Sequence, residues 1–153
     1  MSRAGLALAG LLTAASAPAA ADTLVEEIDA CIGAIGAPSE HAEFCLGTFA
    51  QACLDKPENM STAAMVSCVQ TETDAWTAIM EREYAALFER LDDEQKAAME
   101  DLQRKWIAFR QADCAFPRVF LRGSMALPWS ADCVMQHTAR RALDLRGYRG
   151  MLE

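Results

Sequence analysis

Cys31, Cys45, Cys53, Cys68, Cys114 and Cys133, together with His41 and His137, are the residues of this chain with the widest chemical repertoire. His41 lies four residues before Cys45, and Cys133 four before His137. That spacing puts two ligands on one helix face and could hold a metal such as zinc. No cysteines form the C-x-x-C pair of a redox site or of haem attachment. An even number of cysteines without such a motif is more economically explained as three disulfides. The pairs closest in sequence are Cys31–Cys45, Cys53–Cys68 and Cys114–Cys133. Each would clip the junction between two consecutive helices, and a closed loop of that size is worth about 3 kcal/mol. A Cys68–Cys114 bridge across the two central helices is the open alternative. As disulfide halves these cysteines are not metal ligands, so no metal and no cofactor are expected. No serine or cysteine nucleophile has a supporting histidine motif. The paired acids Glu26/Glu27 and Asp92/Asp93 fall where first helical turns attract negative charge. The chain therefore reads as a non-enzyme with no catalytic residues.

Disulfides imply an oxidising compartment, and the first residues supply a route to one. A basic start at Arg3, an apolar stretch from Ala4 to Ala15 and the small-residue run Ala19-Ala20-Ala21 read as a signal peptide over residues 1–21. Cleavage after Ala21 would leave a periplasmic or secreted protein. No later stretch is apolar and long enough for membrane insertion of the mature chain. The formal charge of −8 would become −9 on losing Arg3. Such a charge disfavours nucleic acid and anionic membrane surfaces, and it steers toward cationic partners.

The elements that must position the cysteines are helical. Leu24, Ile28, Cys31 and Ile35 have helical spacing, and Gly33, Gly36 and Pro38 end that first helix. A second helix carries Phe44, Cys45, Phe49 and Cys53 up to a break at Lys56-Pro57. Residues 22–60 thus form a disulfide-stapled cap, and residues 61–153 the main helical domain, with 22–153 as one globular unit. Ser61 or Thr62 caps a long arm whose apolar stripe runs through Met65, Val69, Trp76, Ile79, Met80 and Leu87, interrupted by Glu72 and Glu83. Asp92 and Gln95 form a capping box for the next arm. Its predicted inner face carries Met99, Leu102, Trp106, Phe109 and Phe120, with Arg110 and Asp113 as intruders.

If the two arms form an antiparallel hairpin about Asp92, equal helical rise sets Trp76 opposite Trp106 in the core. The same register sets Glu72 opposite Arg110. An ion pair is predicted there, because a buried charge without a partner would cost several kcal/mol. A loop from Arg122 to Trp129 follows. Ser130 then caps a third helix bearing Val134, Thr138, Arg141, Ala142 and Leu145, which Arg146-Gly147 ends. The predicted fold is all-α: a long antiparallel hairpin, a third C-terminal helix and a short stapled cap.

Several of these residues also carry a family resemblance. Cys68-x3-Glu72-x3-Trp76, Tyr84 and Leu87, Gln103-x2-Trp106-x3-Arg110-x3-Cys114, Gly123-Ser124, and Cys133-x4-Thr138-x2-Arg141-x3-Leu145 together resemble the lysozyme inhibitor LprI N-terminal-like family. The likeness covers about Cys53 to Leu145. It departs after Trp76, where Thr77, Met80 and Glu81 stand in place of the family's Asp, Leu and Asn. The resemblance implies a small exported helical protein that binds other proteins, in some members a lysozyme. A cationic lysozyme is the implied partner. Arg122 would then reach the acids of its cleft, with Met125, Leu127 and Trp129 as apolar anchors. The same apolar side chains could instead fold back over the hairpin. A non-inhibitory cell-envelope interaction protein is the alternative function.

Overall fold

The computed structural model describes residues 19–35 and 39–152, with the side chains of residues 19–21 and 39–41 left aside. The expected signal peptide lies outside the described residues up to position 18, and so does the Gly36–Pro38 break. Among the described residues there are five α-helices and no strand. These are α1 (Ala19–Ile35), α2 (Thr48–Leu54), α3 (Thr62–Phe88), α4 (Asp93–Phe120) and α5 (Ala126–Gly150), with short 3-10 turns at Ser39–Cys45 and Pro57–Asn59. No helix among them is long and apolar enough to cross a membrane.

Local chemistry explains the helix limits. The Ser61 hydroxyl accepts from the Ala64 N–H and opens α3. Asp92 and Gln95 exchange both bonds of a capping box and open α4. Pro117 sits inside α4 without ending it. The last helix begins at Ala126, upstream of the predicted cap at Ser130. Pro128 does not block this start, since the first helical N–H groups have no intrahelical acceptor to lose. Ser130 instead donates to the Cys114 carbonyl of α4. The helix also continues through Gly147 to Gly150.

α5 is the helix on which the others assemble. It lies along α3 and along α4, while α3 and α4 make few close backbone approaches to each other. Its two contact faces differ in character. Met135, Ala139, Ala142 and Leu143 are buried in the apolar core with Trp76 and Ile79 of α3. Thr138 and Arg141, also buried, face α4.

The predicted ion pair across the hairpin therefore needs correction. Glu72 and Arg110 do not pair. The Glu72 carboxylate, fully buried, accepts from the Gly47 N–H (2.6 Å), the Ala50 N–H (2.7 Å) and the Trp76 indole N–H (3.0 Å). Arg110 donates to the Thr138 hydroxyl at 2.8 Å and lies 4.7 Å from the centre of the Trp106 ring. Near the turn the two arms keep the equal-rise register, with Lys96 over the Phe88 ring and Gln103 on the Met80 sulfur, but farther along Arg110 turns to α5 instead. Leu102, Phe109 and Phe120, predicted to face inward, are exposed, because α4 packs on α5 through its polar face.

The front segments dock on α3. Leu24, Ile28 and Ile32 of α1 join the core. Disulfides link Cys31 to Cys45 and Cys53 to Cys68. Gly47, in a left-handed conformation at φ 78°, precedes α2, and Glu72 caps that helix from across the chain. Arg82 of α3 holds Asp29 of α1 through two hydrogen bonds of 2.7 and 2.8 Å. Glu83, the other acid in the α3 stripe, is buried and bonded to Arg149 at 2.8 Å and to Arg82 at 3.2 Å.

Two measurements check this arrangement. Because Glu72 and Arg110 share no partner, Glu72→Gln and Arg110→Gln are expected to lower stability additively, within about 0.5 kcal/mol. Glu72→Ala alone should cost about 3 kcal/mol in urea unfolding, since it strands buried donors. The second concerns acid. The hydrogen bonds from Arg82 hold the Asp29 carboxyl below its ordinary range, against the opposing effect of burial. A depressed folded value means this contribution is present above the unfolded carboxyl value of about 3.9 and is lost as pH falls through the folded one. Both partners are partly exposed, so the deficit of Asp29→Asn near neutral pH should stay below about 1 kcal/mol. It should vanish in thermal melts run well below the ordinary carboxylate range.

Candidate functional site

Residues of the LprI-like pattern gather into one seam between α4 and α5. Gln103, Trp106 and Arg110 recur at helical spacing along α4, and Thr138 and Arg141 answer them from α5. Arg141 donates from Nε to the Gln103 side-chain oxygen at 2.9 Å. Its guanidinium lies 6.0 Å from the centre of the Trp106 ring that Arg110 also approaches. Burial disfavours the charged form of both arginines and pulls both below the usual guanidinium value. Their partners are neutral oxygens, a thioether and an indole face. This set can hold two cations in place by hydrogen bonding and cation–π attraction, but it contains no nucleophile and no proton acceptor poised for chemistry. It is a structural seam.

Beyond the seam the two helices meet in a tip. Cys114 is bonded to Cys133, so the end of α4 is tied covalently to the second turn of α5. Arg122 makes the reversal with φ 47°, a left-handed conformation that a non-glycine residue adopts at some cost. Around it the side chains divide. Ala126, Pro128 and Ser130 are buried, whereas Met125, Leu127 and Trp129 point outward, the tryptophan 62% exposed. The apolar side chains of the tip therefore do not fold back over the hairpin. Between Asp113 and Asp132 the chain carries two arginines and no acid. A molecule with a formal charge of −8 thus presents one end that is apolar and locally cationic.

Sequence reasoning placed the exposed tip residues correctly in one segment but missed their neighbours. Phe116, Val119 and Phe120 on α4 are also exposed and extend the apolar surface along that helix. The recurrence of Leu102, Phe109 and Phe116 at seven-residue intervals could have revealed it. The assignment of Leu102, Phe109 and Phe120 to the inner face hid it.

Metal-ligand geometry is present only in part. Ligand atoms of Asp113, Cys114, Cys133 and His137 lie within 4.8 Å of one another. With both sulfurs in a disulfide, what remains is His137 bonded to Asp113 at 2.8 Å. Two depressions stand out on the surface. A cleft of about 580 Å³ lies between the start of α2 and α5, bordered by Gly47, Gln51, Asp132 and Gln136. An apolar groove of about 360 Å³ lies at the opposite end of α4 from the tip, walled by Leu87, Leu91, Met99, Leu102 and Tyr148. Neither holds a nucleophile–base pair among its lining residues.

Comparisons with known proteins agree with this picture. A family described as lysozyme inhibitor LprI matches residues 53–145. No curated protein matches. A crystal structure of an uncharacterized protein from Burkholderia thailandensis superposes with a TM-score of 0.55 at 24% identity, over 75% of this chain and 54% of that one. The chain thus spans about half the length of that protein, and at this identity the likeness shows the fold.

The exposure pattern separates seam from tip experimentally. Trp106→Ala is expected to cost about 2 kcal/mol or more, because it removes a packed ring and two cation–π contacts. Trp129→Ala should leave the unfolding midpoint of the oxidised protein within about 0.5 kcal/mol of the parent.

Proposed function

The chain belongs to the lysozyme inhibitor LprI family, and on that premise we propose that it is an exported protein-binding module that inhibits a lysozyme through the α4–α5 tip. The observation that carries this reading is the tip itself, with Arg122 and the exposed Met125, Leu127 and Trp129 in a segment that carries no acid between Asp113 and Asp132. A lysozyme is a glycoside hydrolase, and such enzymes work with paired carboxyl groups across a cleft. A cationic and apolar projection complements that cleft. The remaining surface, strongly acidic, attracts the basic exterior of a cationic lysozyme and raises the encounter rate. Trp129 supplies the anchor area typical of a binding hot spot, and Arg122 supplies charge. Three disulfides fit a periplasmic or secreted location, reached by removal of residues 1–21. The protein acts by occupying the cleft rather than by catalysis.

One observation favours a second reading. At the departure from the family pattern, the Thr77 hydroxyl donates to the Thr73 carbonyl within α3 and Glu81 is exposed. A chain altered there could serve as a non-inhibitory interaction protein of the cell envelope.

A muramidase assay with the purified oxidised protein distinguishes them. Inhibition is expected against cationic lysozymes, weakening as salt is raised. Trp129→Ala and Arg122→Ala should each weaken binding about tenfold or more without loss of fold. Flat assays and no binding across several lysozyme types would leave the envelope reading.

A further inference from the structure

We propose that the outer face of α4 is a self-association surface, on which a second copy of this chain packs antiparallel about a two-fold axis near Phe109. The inference is independent of lysozyme binding and starts from the exposed face of α4. Among the residues of α4 only Cys114 is fully buried. Leu102, Phe109 and Phe116 recur every seven residues, and Phe120 follows one turn later. At about 100° per residue these four fall within a strip roughly 40° wide, about a quarter turn from the seam residues. Phe109, Phe116 and Phe120 are 56%, 61% and 71% exposed. A continuous apolar stripe of this length is unusual on an isolated surface and marks a contact.

The stripe has a receptor on the same helix. The apolar groove by Leu102, Met99 and Tyr148 sits at its N-terminal end, and the protruding phenylalanines at its C-terminal end. With Phe109 on the axis, the two ends exchange. Phe116 of the second copy reaches the groove beside Leu102, and Phe120 reaches the small Ala98. A knob and a hole at opposite ends of one face are what an isologous two-fold contact requires.

Charge points the same way. On the flanks of the stripe α4 carries Lys105 on one side and Asp113 on the other, each about 40° from its centre. An antiparallel pair brings these opposite charges together once on each side of the two-fold axis. The register that centres Phe109 brings Lys105 to Asp113 of the second copy. Each of these already has one partner in its own chain, Asp101 at 2.6 Å and His137 at 2.8 Å, so the contact would join two small networks.

The area fits a weak, concentration-dependent dimer. Three half-exposed phenylalanines offer on the order of 300 Å² per copy. With the groove walls, and both halves of the contact counted, total burial reaches on the order of 800 Å², the range of transient contacts. The tip residues Met125 and Trp129 lie beyond the stripe and stay free.

Sedimentation equilibrium of the full oxidised protein up to about 100 µM tests the proposal. The expected result is a monomer–dimer equilibrium, with Phe116→Asp raising the dimer Kd at least thirtyfold or so. The charge reversal Lys105→Asp should weaken the dimer, and combining it with Asp113→Lys should restore part of the loss. These side chains are exposed, and circular dichroism of each variant checks that the fold is kept. As a measurement without a disruptive variant, benzoylphenylalanine placed at position 109 should photo-cross-link two copies through α4. A monomer throughout the concentration range overturns the proposal. So does a dimer unchanged by Phe116→Asp, or a monomer whose Phe116 face is instead taken up by anionic phospholipid vesicles.

Discussion

One helix has to satisfy two neighbours of opposite character, and the architecture follows from that. α5 offers small and apolar side chains, Ala139 and Ala142 among them, to α3, and polar ones, Thr138 and Arg141, to α4. The first face sits in the main core beside Trp76 and Ile79. The second leaves two arginines whose desolvation must be offset, and Gln103, Thr138 and the Trp106 ring perform that task. Removing an arginine there would leave its oxygen partners unsatisfied.

Glu72 performs the corresponding task at the other end of the core. A buried carboxylate is costly unless donors surround it. Its three donors come from the start of α2 and from the α3 tryptophan, so one side chain ties the front segments to the long helix. The Cys53–Cys68 and Cys31–Cys45 bridges act on the same segments covalently. The front is thus held by a polar anchor inside and disulfides around it. The tip, by contrast, is fixed by one disulfide and one serine hydroxyl, and its apolar residues are turned toward solvent.

Much of this was legible in the sequence, and what was not has a common cause. Helix limits at Ser61 and Asp92 follow from capping chemistry, which is local. The Glu72 and Arg110 positions were visible as polar interruptions of apolar stripes, but their partners depend on which helices touch. That is a long-range outcome, decided by α5. The exposed Phe109 and Phe120 show the same problem from the other side. An apolar stripe signals burial without saying against what, and α4 presents its stripe outward while using a half-polar one for its own fold. The early start of α5 was hidden by Pro128, which reads as a breaker yet is harmless in a first turn.

α4 packs mainly on one helix, α5, touches α3 through Lys96 on Phe88 and Gln103 on Met80, and has a single fully buried residue. It is also tethered at both ends, by the tight turn at Asp92 and by the sulfur bridge at Cys114. Lifting away costs the seam but frees only a short closed segment, whose added entropy is small. The two tethers therefore let a seam of modest size hold α4 on α5, because opening releases little chain freedom to set against it.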